Sequence, residues 1–77
     1  MKYIKGELVY CDGTQQVYVV VGRTYNGRLQ LRNILNVDSN HIIEMRDEML
    51  SPVPQKWLEG SYPYEAIAKS IMKGYTR

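Results

Sequence analysis

The stretch VYVVVGRTYNGRLQLRNIL, residues 17–35, decides the fold of this chain. Two runs rich in β-branched and other apolar residues flank the pair Asn26-Gly27. That pair suits a two-residue type I′ turn, because both central residues of such a turn need a positive φ. We therefore predict a β-hairpin with a fixed register. The predicted cross-strand pairs are Tyr25 with Arg28, Arg23 with Gln30 and Val21 with Arg32.

The predicted register divides the hairpin into two faces, since side chains alternate across a strand. One face is apolar and is expected to be buried; it carries Tyr18, Val20, Gly22, Thr24, Leu29 and Leu31. The other is a cationic, hydrogen-bonding surface that carries Arg23, Tyr25, Arg28, Gln30 and Arg32. We name this second set the arginine face; it is either a solvated outer face, for which Arg and Gln are suitable residues, or a binding surface.

Strand patterns continue on both sides of the hairpin. Residues 3–10 are predicted as a first strand with Leu8 and Tyr10 on one face, and the turn signal Asp12-Gly13 follows it. A strict two-residue turn would place Leu8 opposite Val17. We prefer a four-residue loop, Cys11–Thr14 extended by one, which places Leu8 opposite Tyr18 on the face expected to be buried. Residues 17–21 are apolar on both faces, which predicts a central or bent strand with a kink or bulge at Gly22.

Residues 36–50 contain a turn cluster and then an ambiguous segment. NVDSN, residues 36–40, is typical of a turn, and HIIEMRDEML, residues 41–50, fits two structures. Helical spacing is shown by Ile42, Met45, Met49 and Leu50. Strand alternation is shown by His41, Ile43 and Met45. We favour a further strand pairing, because the segment follows two strands and a short loop.

The C-terminal third is predicted to be helical. Two prolines in SPVP, residues 51–54, end the β segment. Residues 54–60 form a connector with one helical turn that ends at Gly60, and residues 61–74 form a helix. The apolar stripe of that helix is Tyr64, Ile67, Ala68, Ile71 and Met72.

Length and pattern together define the fold class. The 77 residues form one small domain, with a β-barrel over residues 1–53 followed by the connector and the helix. We predict a mainly β protein with a C-terminal α-helix. Its β part is either a small SH3-like barrel or a strongly bent antiparallel sheet of about four or five strands.

The junction MLSPVPQKWL, residues 49–58, resembles one found in small uncharacterised phage and mobile-element proteins with an SH3-like barrel. In those proteins a short barrel ends in a Pro-x-Pro step, and a Trp-Leu pair follows a few residues later. The resemblance covers about ten residues and stops after Leu58, where a Tyr-rich helix follows here. It implies a host-cytoplasmic binding protein, and it carries over no functional residue.

Few side chains in this chain suggest chemistry. A thiol nucleophile could be drawn from Cys11, His41 and Asp12, but no spacing supports it, and one Cys with one His is too few for a recognisable metal site. The acidic residues Glu44, Asp47 and Glu48 are read as a solvated face paired with arginines. We therefore predict no enzyme activity and no cofactor. The single Cys11 favours a reducing cytoplasm, where disulfides are rare.

The arginine face carries the functional hypotheses. A net charge of +2 and a pI of 8.8 neither require nor exclude a polyanionic partner. We predict a non-enzymatic binding module that contacts nucleic acid through this face, with Tyr25 as a stacking platform. The alternative is a protein-interaction module, such as a phage or mobile-element inhibitor or accessory subunit that acts on a host protein. A homodimer remains open as a further partner, and no membrane is expected.

Overall fold

The computed structural model describes residues 3–35 and 41–75, and its centre is a five-stranded antiparallel sheet in the order β4-β3-β2-β1-β5. The strands are β1 (Leu8–Cys11), β2 (Gln16–Arg23), β3 (Leu29–Asn33), β4 (Ile43–Met45) and β5 (Ser51–Pro52). A 3₁₀ turn (Asp47–Met49) lies between β4 and β5, and two helices follow, α1 (Gln55–Leu58) and α2 (Tyr64–Met72). The predicted mainly β fold with a C-terminal helix is confirmed. The turn cluster predicted for residues 36–40 lies outside the described residues.

The sheet is strongly bent but not closed. β4 and β5 are its two edges, and no pairing joins them within the described ranges. A flat sheet of this width would hold its edge strands about 19 Å apart at the usual strand spacing of about 4.8 Å. Only residues 46–50 connect the two edges, and three of them are wound into the 3₁₀ turn, which rises about 2 Å per residue. A connection this short requires the sheet to curl.

The central strand β2 is buried on both faces, as residues 17–21 predict. Its two faces contribute to two separate hydrophobic clusters. The inner cluster lies on the face of the sheet away from α2 and contains Tyr3, Val9, Cys11, Tyr18, Val20, Leu29, Leu31 and Leu50. The helix-side cluster lies under α2 and contains Val17, Val19, Val21, Ile34, Val53, Ala68 and Ile71.

The two helices close the second face of the sheet. The predicted stripe of α2 packs on the helix-side cluster, with Ala68 and Ile71 buried and its other members half-buried. Trp57 of α1 meets Tyr10 edge-on, with ring centroids 5.2 Å apart. Leu8 and Tyr10 contact this same cluster, so their predicted common face is confirmed. No helix in the described part of the chain is long and apolar enough to cross a membrane.

The predicted two-residue turn of the hairpin is wrong. The Thr24 amide donates to the Arg28 carbonyl at 2.8 Å, and the Gly27 amide donates to the Thr24 carbonyl at 3.0 Å. Gly27 has a φ of +89°, whereas Asn26 is not among the described residues with positive φ, so type I′ geometry is excluded. The connection is a three-residue loop of Tyr25, Asn26 and Gly27, in which only the last residue needs the left-handed region.

The predicted register is also wrong, first by one residue and then by two. Arg23 pairs with Leu29 rather than with Gln30, and Arg32 pairs with Val19 rather than with Val21. The longer loop causes the first shift. A β-bulge between Val20 and Gly22 causes the second, which confirms the bulge predicted at Gly22.

Of two smaller expectations, one is corrected and the other is confirmed. Leu8 pairs with Val19 rather than with Tyr18, because Cys11 pairs with Gln16 across a four-residue loop that contains Gln15 at a φ of 56°. In residues 41–50, the strand interpretation holds for β4, which pairs with β3. The helical interpretation applies only to the short 3₁₀ turn that follows.

Candidate functional site

The three-residue loop divides the arginine face between the two sides of the sheet, because it pairs Arg23 with Leu29 instead of Gln30. Directly paired residues of an antiparallel ladder point to the same side, and a shift of one residue in the pairing moves a side chain to the other side. Arg23, opposite Leu29, therefore lies on the side of the inner cluster. Arg32, opposite Val19, lies on the side of α2. The five predicted residues do not form one continuous face.

Arg23 joins three distant segments through its guanidinium group. Its Nη1 donates to the Gly27 carbonyl at 2.7 Å and to Asp47 Oδ1 at 3.0 Å. Its Nη2 donates to the Tyr3 carbonyl at 3.1 Å and to Asp47 Oδ2 at 3.2 Å. The hydrogen bonds to the Asp47 carboxylate raise the pKa of Arg23 above its usual value. We call this arrangement the Arg23 clasp; it holds the hairpin loop, the 3₁₀ turn and the N-terminal segment together.

Arg32 is enclosed by the end of the chain. Its residue is only 5% exposed, and its Nη1 donates to the Tyr75 hydroxyl at 3.3 Å. The guanidinium carbon lies 6.0 Å from the centroid of the Tyr75 ring, within the range of a cation–π contact. Access to Arg32 from outside would require Tyr75 to move away.

Gln30 lies beside the bulge. It pairs with Gly22, and its side-chain oxygen would be 2.7 Å from a Cβ atom built on that glycine. The amide of Gln30 therefore occupies the space that a side chain at position 22 would need. Gln30 is half-buried and faces away from Arg23.

Tyr25 and Arg28 are the two members of the arginine face that are open to solvent. Tyr25 is fully exposed, and Arg28 is also exposed. The loop that carries them is fixed by the Thr24 hydroxyl, which accepts a hydrogen bond from the Arg28 amide at 3.0 Å and donates to the Asn26 side chain. The tip of the hairpin thus presents one aromatic ring and one guanidinium group on an ordered loop.

Arg46 joins this tip from the neighbouring strand. Leu29 pairs with Met45 and the backbone of Arg46 is extended, so continuing the register by one residue places Arg46 beside Arg28. We define the tip surface as Tyr25, Arg28 and Arg46. Arg46 is not a member of the predicted arginine face, because only the β3–β4 register brings it to the hairpin.

The acidic residues balance the charge around the tip surface. Asp47 pairs with Arg23 at 3.0 Å, and Glu48 pairs with Arg46 at 3.4 Å. Glu44 is exposed on β4, opposite Gln30. The expected pairing of these carboxylates with arginines is therefore confirmed for two of the three.

The remaining candidate residues lie apart from the tip surface. Cys11 is 1% exposed within the inner cluster, whereas His41 is exposed just before β4. Among residues 3–35 and 41–75, no group of three or more His, Cys, Asp or Glu side chains could hold a metal ion.

No protein-family model, curated protein or solved structure matches the chain. The tip surface is therefore interpreted from its own geometry. It offers an exposed aromatic ring, a cation at Arg28 that forms no ion pair within the described ranges, and a cation at Arg46 that the Glu48 carboxylate contacts. An aromatic ring can stack on a ligand, and a guanidinium group can donate charge-assisted hydrogen bonds to it.

Proposed function

We propose that this protein is a non-enzymatic binding module that contacts a protein partner through the tip surface. The observation that carries the proposal is Tyr25, which is fully exposed on a loop held by hydrogen bonds on both sides. An exposed tyrosine offers a large contact area at a low cost in side-chain entropy. Tyrosine and arginine are also the residue types most enriched among the dominant contacts of protein interfaces.

The Arg23 clasp supports this proposal, because it fixes the loop before any partner arrives. The Arg23 guanidinium group donates hydrogen bonds to the Gly27 carbonyl, to the Asp47 carboxylate and to the Tyr3 carbonyl. Ordering a flexible loop on binding lowers affinity, and a loop that is already ordered avoids most of that cost. The clasp thus assigns Arg23 a positioning role, with the tip surface as the contact.

The local charge favours a protein over a nucleic acid as the partner. Three arginines lie around the tip, and the three carboxylates named above lie among them, two in ion pairs. Affinity for nucleic acid depends mainly on cations that neutralise phosphates, so a charge-balanced surface is a poor match. A protein partner can meet mixed charges with charges of its own.

The test is capture from a nuclease-treated lysate of the organism that encodes the chain. The tip variant combines Tyr25→Ser with Arg28→Ser, and the control combines Tyr62→Ser with Lys56→Ser, an exposed tyrosine and lysine near the helices. We expect a stoichiometric protein that the wild type and the control retain and the tip variant loses. Equal retention by all three proteins would overturn the proposal.

Contact with nucleic acid is the second candidate, and the adjacency of Tyr25 and Arg28 favours it. An aromatic ring beside a guanidinium group can stack a base and bind its phosphate. A cytoplasmic location belongs to either proposal, since the only cysteine is a buried free thiol.

A further inference from the structure

A cleft of about 470 Å³ lies at the bulge, on the other side of Arg23 from the tip surface. It is bounded by the N-terminal segment at Tyr3, Ile4 and Lys5 and by the strands on either side of Gly22. This volume lies within the range of small-molecule sites, about 300–1,000 Å³. Bulges are common next to binding sites, because they interrupt the ladder and redirect side chains.

The lining of the cleft is basic. Its charged members are Lys5 and Arg23, and no acidic residue among residues 3–35 and 41–75 lines it. The Asp47 carboxylate already compensates the charge of Arg23. The Lys5 ammonium donates to the neutral Tyr75 carbonyl at 2.9 Å, and no carboxylate of the described residues pairs with it. Lys5 therefore keeps an uncompensated charge and two further donors.

Two other groups complete the cleft. The Gln30 amide is held over Gly22 and forms no side-chain hydrogen bond within the described part of the chain, so its donors are available. Ile4 is 63% exposed at the rim and offers apolar surface beside Lys5. A cation, an amide donor and an apolar side chain thus surround one space.

We propose that this cleft binds a small organic carboxylate with a short apolar chain. The carboxylate would accept hydrogen bonds from Lys5 and Gln30, while the chain covers Ile4. Charge-assisted hydrogen bonds to a carboxylate are the strongest of the polar contacts available here. The proposal is independent of the tip surface, because neither Tyr25 nor Arg28 lines the cleft.

The test is a titration of the labelled protein with hexanoate. Binding is monitored through the amide chemical shifts in nuclear magnetic resonance spectra. We expect saturable shifts at Lys5, Gly22 and Gln30. Hexylammonium, which has the same chain and the opposite charge, should leave these amides unchanged, and acetate should bind more weakly than hexanoate. Non-saturating shifts, or equal shifts with hexylammonium, would show only unspecific contact and would overturn the proposal.

Two variants locate the site, and one serves as a control. Lys5→Gln removes the charge and should weaken hexanoate binding about tenfold or more. Gly22→Ala keeps every charge but places a methyl group where Gln30 lies, so it should also weaken binding. Lys56→Gln removes an exposed lysine of α1 and should bind as the wild type does. Wild-type affinity in both cleft variants contradicts the assignment.

Discussion

The Arg23 side chain is charged and partly exposed, and it nevertheless forms contacts that stabilise the fold. Its guanidinium fork matches the Asp47 carboxylate with two hydrogen bonds, a geometry that a lysine could not reproduce. The contact raises the pKa of Arg23, so the folded state holds the proton more tightly than the unfolded state. That contribution to stability is fully present below the unfolded pKa and is lost only as pH rises through the folded one. Mild alkali should therefore leave the clasp intact.

Gly27 tests the three-residue loop at the level of a single residue. Its φ of +89° suits glycine, and no atom lies within 4 Å of a Cβ built there, so Gly27→Ala meets only backbone strain. We expect Gly27→Ala to lower the free energy of unfolding by about 1–2 kcal/mol and Gly27→Asn to cost less, because asparagine tolerates positive φ. Urea titrations followed by circular dichroism measure both variants.

The matched control for Gly27 is Gly13→Ala. Gly13 has no positive φ, and a Cβ there would meet only the Cys11 sulfur at an ordinary 3.8 Å. The free energy of unfolding of Gly13→Ala should stay within about 0.5 kcal/mol of the wild-type value, as is usual for exposed substitutions. If alanine is tolerated equally at both glycines, the loop geometry described here is incorrect.

At the scale of elements, α2 was readable from the sequence and the hairpin register was not. The stripe of α2 repeats over several turns, so one error in a boundary does not change which residues are buried. A strand has no such tolerance, because a shift of one residue exchanges its faces. Asn26-Gly27 fits loops of two lengths, and Gly22 marks a bulge without showing which residue is extra. The loop length alone was enough to move Arg23 to the other side of the sheet from Arg28 and Arg32, because it shifted the pairing of Arg23 by one residue.

Ile71 tests the contact between α2 and the sheet. It is 7% exposed in the helix-side cluster, so Ile71→Val removes one buried methyl group from a packed site. We expect a loss of about 0.5–1.5 kcal/mol in the free energy of unfolding. The control is Ser70→Ala, because Ser70 is exposed beside Ile71. Its free energy of unfolding should stay near the wild-type value. An unchanged stability for Ile71→Val would mean that α2 does not pack as described.

Only the part of the candidate site that the hairpin itself forms could be predicted from the sequence. Tyr25 and Arg28 follow from the hairpin itself, and both are exposed as expected of a surface. The environments of Arg23 and Arg32 depend on Asp47 and Tyr75, which lie 24 and 43 residues further along the chain. Contacts at such separation leave no periodic signal in the sequence.

At the scale of the whole molecule, charge separates the two candidate partners. If single-stranded nucleic acid is the ligand, its affinity must fall steeply with salt, in proportion to the phosphates contacted. With Arg28 as the one arginine of the predicted face that is open to solvent, we expect weak binding and a shallow salt slope. Fluorescence anisotropy with a labelled oligothymidine at several salt concentrations measures this slope. A steep slope with tight binding would favour the nucleic-acid alternative over a protein partner.

The division of the arginines is the central claim of this account, and it changes the use of the obvious substitution. Replacing Arg23, Arg28 and Arg32 together would remove two fold contacts along with one surface cation. A loss of binding in that triple variant would therefore not identify an interface. The three arginines have to be replaced one at a time.

The most direct test is the thermal unfolding midpoint of Arg23→Ser, Arg28→Ser and Arg32→Ser, each measured alone by circular dichroism. We expect a clearly lower midpoint for Arg23→Ser, which opens the clasp, and for Arg32→Ser, which leaves a void beneath Tyr75. Arg28→Ser should have the same unfolding midpoint as the wild type, because the Arg28 side chain is exposed. Three equal midpoints, or a midpoint lowered most by Arg28→Ser, would contradict the division.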